Sequence, residues 1–246
     1  MQDIKIHPIP LFRTDTKFDK ARMTYLFNFG QGHTGYGYTW LLEGAGEKIV
    51  VDTGANAETA IARGRSREDV KQVQTLGDGL AKFGLKPSDI DIVIITHLHW
   101  DHAELAREYV NARLIVQEDE LSFALNPHPA VIFYDKSKFE GVKFEVIKGD
   151  CQIADGIKVL LTPGHTPGGQ SVAIETEEGT AVITGFCCIQ ENFEPGEEIR
   201  KVTPIIVPGI HLDVLQSYDS MLRVKEAADI IIAIHEPKFA SMDSIP

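Results

Sequence analysis

Apolar and polar positions alternate along this chain in short blocks, each with the period of one kind of element. Residues 25–29, 38–42 and 48–51 read as strands, with Glu43-Gly44-Ala45-Gly46 a turn between the last two. Residues 91–95 (DIVII) are apolar almost throughout, which predicts a strand covered on both faces. Further strand signals lie at 113–116, 142–147, 157–161, 170–174, 181–183 and 229–233. Helical spacing runs over 68–83, through Val70, Val73, Leu76, Leu80 and Phe83, with Gly84 at the expected cap. Helices are also predicted over 102–109, 117–125 and 212–228, the last with Leu215, Tyr218, Leu222, Lys225 and Ala228 on one stripe. Residues 126–138 carry prolines and aromatics and predict a functional loop or lid. KIVVDTG, ending at Gly54, and TAVITG, ending at Gly185, echo one another as apolar strands that stop at Thr-Gly. The pattern predicts one domain over 1–246, built of two stacked sheets with helices outside.

Composition narrows the function classes. The chain has 246 residues, with 24 Lys+Arg against 36 Asp+Glu, a formal charge of −12. That balance argues against nucleic acid and anionic membrane surfaces as partners. No run reaches the ~18 apolar residues of a membrane span, and MQDIKIHPIPLF lacks a signal-peptide core. Cys151, Cys187 and Cys188 are an odd set with an adjacent pair, so a disulfide framework is not expected and a cytoplasmic location is. A homodimer is the base-rate expectation for oligomeric state.

The chemistry concentrates at Thr96-His97-Leu98-His99-Trp100-Asp101-His102, directly after the apolar strand. Three of the nine histidines fall within six residues. Imidazoles and a carboxylate at alternate positions suit a borderline divalent metal, zinc first, with iron or manganese also open. Four donors this close do not serve one tetrahedral ion easily, so two adjacent ions are expected, with one as the alternative. There is no Gly-x-Ser-x-Gly elbow, no phosphate loop and no dinucleotide fingerprint after a strand.

His97-x-His99-x-Asp101-His102 resembles the HxHxDH signature of the metallo-β-lactamase superfamily. VDTG at 51–54, TPGHTPGGQS at 162–171 and IAIHEP at 232–237 resemble its other strand-end motifs in order and spacing. The resemblance implies the αββα four-layer sandwich. It implies that His97, His99 and His165 hold one metal and Asp101, His102 and His235 a second, with Asp52 orienting a ligand histidine. Where the family carries a bridging aspartate, this chain has ITGFCCIQENF, with Phe186 at the expected place. Cys187, Cys188 or His211 is then a candidate replacement ligand, and an unbridged or single-metal site is the other reading.

Within the superfamily the chain is most similar to N-acyl homoserine lactonases, through its size and Glu191-Asn192-Phe193. That resemblance implies hydrolysis of a small lactone or other carboxylic ester, with Asp101 passing the proton to the leaving alkoxide. A thioester, phosphodiester or amide hydrolase and a binding protein with a degraded site are the alternatives. The lactonases place a tyrosine near Ile189, so Tyr218, Tyr134 or His211 is expected to help polarise the carbonyl. Trp100 and Ile132-Phe133-Tyr134 are expected either to wall the acyl pocket or to be ordinary core.

Overall fold

The computed structural model describes residues 4–245, and their side chains except those of 16–18. Twelve strands and eight α-helices are described. The strands are β1 (Lys5–Asp19), β2 (Gly32–Glu43), β3 (Ile49–Val51), β4 (Val70–Gln72), β5 (Ile92–Ile94), β6 (Arg113–Gln117), β7 (Phe144–Ile147), β8 (Cys151–Ala154), β9 (Ile157–Leu161), β10 (Gln170–Thr176), β11 (Gly179–Ile183) and β12 (Ile230–Ile232). The helices are α1 (Ala57–Ala62), α2 (Leu76–Ala81), α3 (Trp100–Ala103), α4 (Glu118–Leu125), α5 (Lys136–Phe139), α6 (Gln190–Phe193), α7 (Glu197–Arg200) and α8 (Val214–Ala227).

A seven-stranded sheet runs β4-β1-β2-β3-β5-β6-β7 and a five-stranded sheet runs β12-β11-β10-β9-β8. Alternation along single strands explains how they stack. Ile49, Val51, Ile92 and Ile94 enter the core between the sheets, against Val159, Val172 and Ile183. Val50 and Val93, one residue out of phase, face the other way onto Ala60, Leu76 and Leu80 of α1 and α2. Val182 and Ala233 do the same on the second sheet, under Met221 and Val224 of α8. The result is the expected four layers, and it explains why 91–95 has no polar face: both of its faces are covered.

The Thr-Gly echo marks a topological repeat. β1, β2 and β3 pair antiparallel in succession and β3 then pairs parallel with β5. β9, β10 and β11 pair antiparallel in the same way and β11 pairs parallel with β12. The two echo strands, β3 and β11, hold equivalent places.

Several predicted elements differ. Residues 25–29 form turns, with Leu26 and Asn28 at positive φ and the Thr24 hydroxyl bonded to the Lys20 and Phe27 carbonyls. The predicted helix over 68–83 divides into β4 and α2. Val70–Gln72 pairs with the open edge of β1, and Thr75 then caps α2 by accepting from Asp78 N at 3.1 Å. Residues 102–109 hold the end of α3 and a short 3₁₀ turn rather than one helix. β1 was unpredicted because Pro8 and Pro10 interrupt it. The Ile6 N–H points away from β2, to the Ile245 carbonyl, so the nitrogens of Pro8 and Pro10, two and four residues on, face the same open side.

Candidate metal centre

The site forms where β3, β5, the 162–169 loop and the end of β12 come together. Asp52 leaves β3 at φ 57°, a conformation unusual for a non-glycine residue. This turn aims its carboxylate at the next strand end. Oδ1 accepts the Thr96 N–H at 2.7 Å; Oδ2 accepts the Thr96 hydroxyl at 2.8 Å and the His102 Nδ1–H at 2.7 Å. Thr53 donates its N–H and its hydroxyl to the His102 carbonyl, at 2.8 and 2.9 Å. The VDTG motif thus clamps the beginning and the end of the histidine loop.

His165 sits on a loop pressed against the start of α8. Gly164 has φ 121°, and a Cβ there would lie 2.2 Å from Ser217 N. A Cβ on Gly168 would lie 2.3 Å from Glu120 N, so the loop's other end packs as closely on α4. His235 follows β12 and donates Nδ1–H to the Tyr36 carbonyl at 2.9 Å.

These elements gather two triads. Ligand atoms of His97, His99 and His165 lie within 4.8 Å of one another, as do those of Asp101, His102 and His235. The rings of His97 and His102 are 4.0 Å apart, so the triads adjoin. All five histidines are buried, and Asp101 is the most exposed member.

The donor chemistry fits divalent metal. His165 Nδ1 lies 2.7 Å from the Ile210 carbonyl, which only accepts, so Nδ1 carries the proton and Nε2 bears a lone pair. His97 Nδ1 meets the Thr96 hydroxyl at 3.0 Å, and that hydroxyl already donates to Asp52, which leaves His97 Nε2 bare as well. The two Nε2 atoms face each other at 3.2 Å. His99 Nε2 is buried with no hydrogen-bond partner among the described residues. Converging lone pairs on neutral, oriented rings are what a cation needs.

Electrostatics point the same way. Burial, reinforced by the neighbouring histidines, pulls His97, His99 and His235 below the usual imidazole range, and burial takes His165 down to about 3. His102 differs: burial opposes its charged form, but Asp101 and Asp52 outweigh it and hold its pKa up. Burial works against the Asp101 carboxylate, yet His102 and His235 outweigh it and leave it below its ordinary value.

The triads floor a cleft of about 600 Å³ counted out to open solvent, also lined by Phe12, Met23, Tyr36, Trp100, Phe133 and Cys187. The expected roles of Trp100 and Phe133 as walls fit this placement. Tyr134 does not line the cleft but packs behind His99, ring centres 4.8 Å apart, with its phenol donating to Glu120 at 2.9 Å, and Tyr218 packs beside the core under α8. His211 stays outside the cleft, with Nδ1 on the Pro208 carbonyl at 2.7 Å and its ring edge-on to Tyr25.

Phe186 is fully buried with Phe193 and Met221, facing away from the cleft, and Cys188 shares that cluster with its thiol on Thr184. Cys187 lines the cleft but stands outside both triads, its sulfur 3.4 Å from Met23 Sδ, and burial pushes its thiol pKa far up. The described residues therefore supply two three-ligand sets with no bridging carboxylate.

Sequence reasoning missed Tyr36, Arg22 and Arg65, which also line the cleft. Only the alternation of β2 pointed to Tyr36. The two arginines lie in irregular segments where no periodicity marks a face.

This architecture and motif set define a metal-binding hydrolase fold. The chain belongs to the metallo-beta-lactamase superfamily, whose profile matches residues 33–228. It is 30% identical over 169 residues to an N-acyl homoserine lactonase of Bacillus thuringiensis, a match covering 64% of this chain and 66% of that relative, just under two thirds of its length. Among solved structures it resembles a B. thuringiensis variant with N-decanoyl-L-homoserine bound at the active site (TM-score 0.77, 28% identity, 97% of this chain and 95% of that one). It also resembles an N-acyl homoserine lactone hydrolase with N-hexanoyl-L-homoserine at its catalytic metal centre (TM-score 0.76, 27% identity, 97% and 95% covered). Among the described residues, no helix is long and apolar enough to cross a membrane.

Proposed function

We propose that this protein is a metal-dependent hydrolase of carboxylic esters, and that its substrates are small lactones. The observation that carries this reading is the pair of adjoining triads at the floor of one cleft, each with oriented donors and no competing partner for His99 Nε2. His97, His99 and His165 would hold one ion and Asp101, His102 and His235 the other, with zinc best suited to these nitrogen and oxygen donors. A divalent ion so held supplies a water acidified toward neutral pH and polarises a carbonyl oxygen.

The chain's own residues do the rest. Asp101 is the carboxylate that lines the cleft, so it takes the proton from the attacking water and returns it to the leaving alkoxide oxygen. Asp52 fixes the His102 tautomer. The Ile210 and Tyr36 carbonyls fix those of His165 and His235. Trp100 and Phe133 exclude water from the bound ester. The relatives with ring-opened lactones at the site support the lactone as substrate class. Free cysteines, two of them buried, support a reducing compartment such as the cytoplasm.

The test is hydrolysis of a panel of lactones and linear esters by zinc-loaded, chelator-stripped and His165→Ala protein. Lactone opening by the loaded wild type alone is expected. Equal rates in the stripped protein would overturn the reading.

A further inference from the structure

Residues 126–138, which the sequence marks as a functional loop or lid, bring Phe133 to the cleft. The Phe133 carbonyl accepts the Trp100 N–H at 3.0 Å, and the Tyr134 phenol is bonded to Glu120. These two bonds pin the inner side of the stretch. Arg63, the C-cap of α1, takes its outer side. The guanidinium donates to the Ile132 carbonyl, lies 3.6 Å from the Asp135 carboxylate and stands 5.9 Å from the centre of the Trp100 ring. One side chain thus grips the stretch before and after Phe133, and with it the tryptophan between His99 and Asp101. We propose that Arg63 is a specificity-determining residue: it holds Trp100 and Phe133 in one arrangement as the acyl wall of the cleft, and so sets the preference for esters with a long acyl chain.

A stretch tied to α3 by the Phe133 carbonyl alone can turn about that bond. Ile132 is largely exposed, so packing does not fix that end. A planar fork of donors that reaches residues 132 and 135 together removes this freedom. Trp100 is held in the same way: Phe12 packs against its ring, centres 5.6 Å apart, and the guanidinium adds its attraction to the ring.

Arg63 is anchored well enough to serve. Its N–H closes α1 on the Thr59 carbonyl at 3.0 Å. Glu104, directly after α3, fixes the start of α1 by accepting the Asn56 N–H at 3.1 Å and the Thr59 hydroxyl. The same carboxylate takes Lys138 at 3.1 Å, at the far end of the stretch. Helix α1, the stretch and α3 therefore form a closed clasp around Trp100. An acyl chain binds only the fraction of molecules whose wall is in place, so its apparent affinity falls in proportion as the clasp opens. The inference deepens the ester-hydrolase reading above and rests on it.

The test compares zinc-loaded wild type, Arg63→Met and Arg63→Lys on N-acetyl- and N-decanoyl-L-homoserine lactone. Urea midpoints and acrylamide quenching of tryptophan fluorescence are measured in parallel. The chain has two tryptophans and Trp40 is fully buried, so quenching reports Trp100. In Arg63→Met the decanoyl-to-acetyl ratio of kcat/KM should fall about threefold, the size of one cation–aromatic contact, and should do so through KM. Quenching should rise in the same variant. Arg63→Lys keeps the charge but not the fork, and should lie between. A ratio unmoved in Arg63→Met would overturn the assignment. So would equal slowing of both lactones with a lower urea midpoint, which is the mark of a merely structural residue. If loaded wild type opens neither lactone, the lactone reading fails, and calorimetry with ring-opened N-decanoyl-L-homoserine decides the wall: weaker binding to Arg63→Met supports it, and equal binding overturns it.

Discussion

Glu120 accepts the backbone N–H of Leu98 at 2.8 Å, in the middle of the His97-x-His99 pair. The same carboxylate accepts the Tyr134 phenol at 2.9 Å and the Gly168 N–H at 3.2 Å, three residues after His165. One fully buried side chain on α4 therefore ties together the two loops that carry the first triad and the segment behind His99. Glu120→Ala strands two buried backbone donors, each costing about 1–3 kcal/mol. A lower urea midpoint and weaker retention of metal under chelator are expected. An unchanged midpoint would show that the loops hold themselves.

Asp52→Asn is the complementary test on the second triad. Asparagine tolerates the positive φ of this position, so the backbone should persist. The charge that orients His102 is lost, and loss of such a partner typically weakens metal binding about 10–100-fold. Chelator competition should show one ion released early. Two ions leaving together at the wild-type chelator concentration would contradict the role.

Cys187, Cys188 or His211 was a candidate replacement for the bridging ligand, with an unbridged or single-metal site the other reading, and of the three only Cys187 lines the cleft. Phe186→Asp buries an unpaired carboxylate among Phe193, Met221 and Val224, so a loss of several kcal/mol is expected, with no added metal. Cys187→Ala should leave metal content unchanged, because its sulfur stands outside both triads. Loss of an ion in Cys187→Ala would make that sulfur a ligand.

For the metal-free protein the buried histidines set the pH dependence. His97, His99, His165 and His235 have folded pKa values below the unfolded value of about 6.5, reaching about 3 at His165. Below 6.5 the unfolded chain takes up protons that the folded chain refuses, so stability present above that pH falls as pH drops toward 3. His102, held up by its carboxylates, and Glu120, pushed up by burial, work in the opposite sense, but the four lowered histidines outnumber them. Urea midpoints of stripped protein should decline from pH 7.5 to pH 5. A flat or rising midpoint would contradict this.

Much of the site was legible because its residues sit at strand ends. His97, His99, Asp101 and His102 follow an apolar strand and were marked by local pattern, whereas Asp52, His165 and His235 were marked by the family resemblance of their strand-end motifs. The layering was legible from runs such as 91–95, apolar almost throughout, which predict strands covered on both faces. What was hidden depended on contacts distant in sequence. β1 was masked by Pro8 and Pro10, which are tolerated because their nitrogens face away from β2. β4 exists because Val70–Gln72 has the edge of β1 to pair with, which no helical spacing in 68–83 records. The direction of Phe186 was set by the small core under α8, and the gathering of Arg22 and Arg65 at the cleft by packing of two irregular segments.

The most direct test of the central claim is metal content against activity. Stripped protein is titrated with zinc, and bound ions per chain and lactone opening are followed together. Two adjoining triads predict uptake of two ions per chain, with hydrolysis appearing as the sites fill. No uptake, or lactone opening that is complete before any metal is added, would contradict the account.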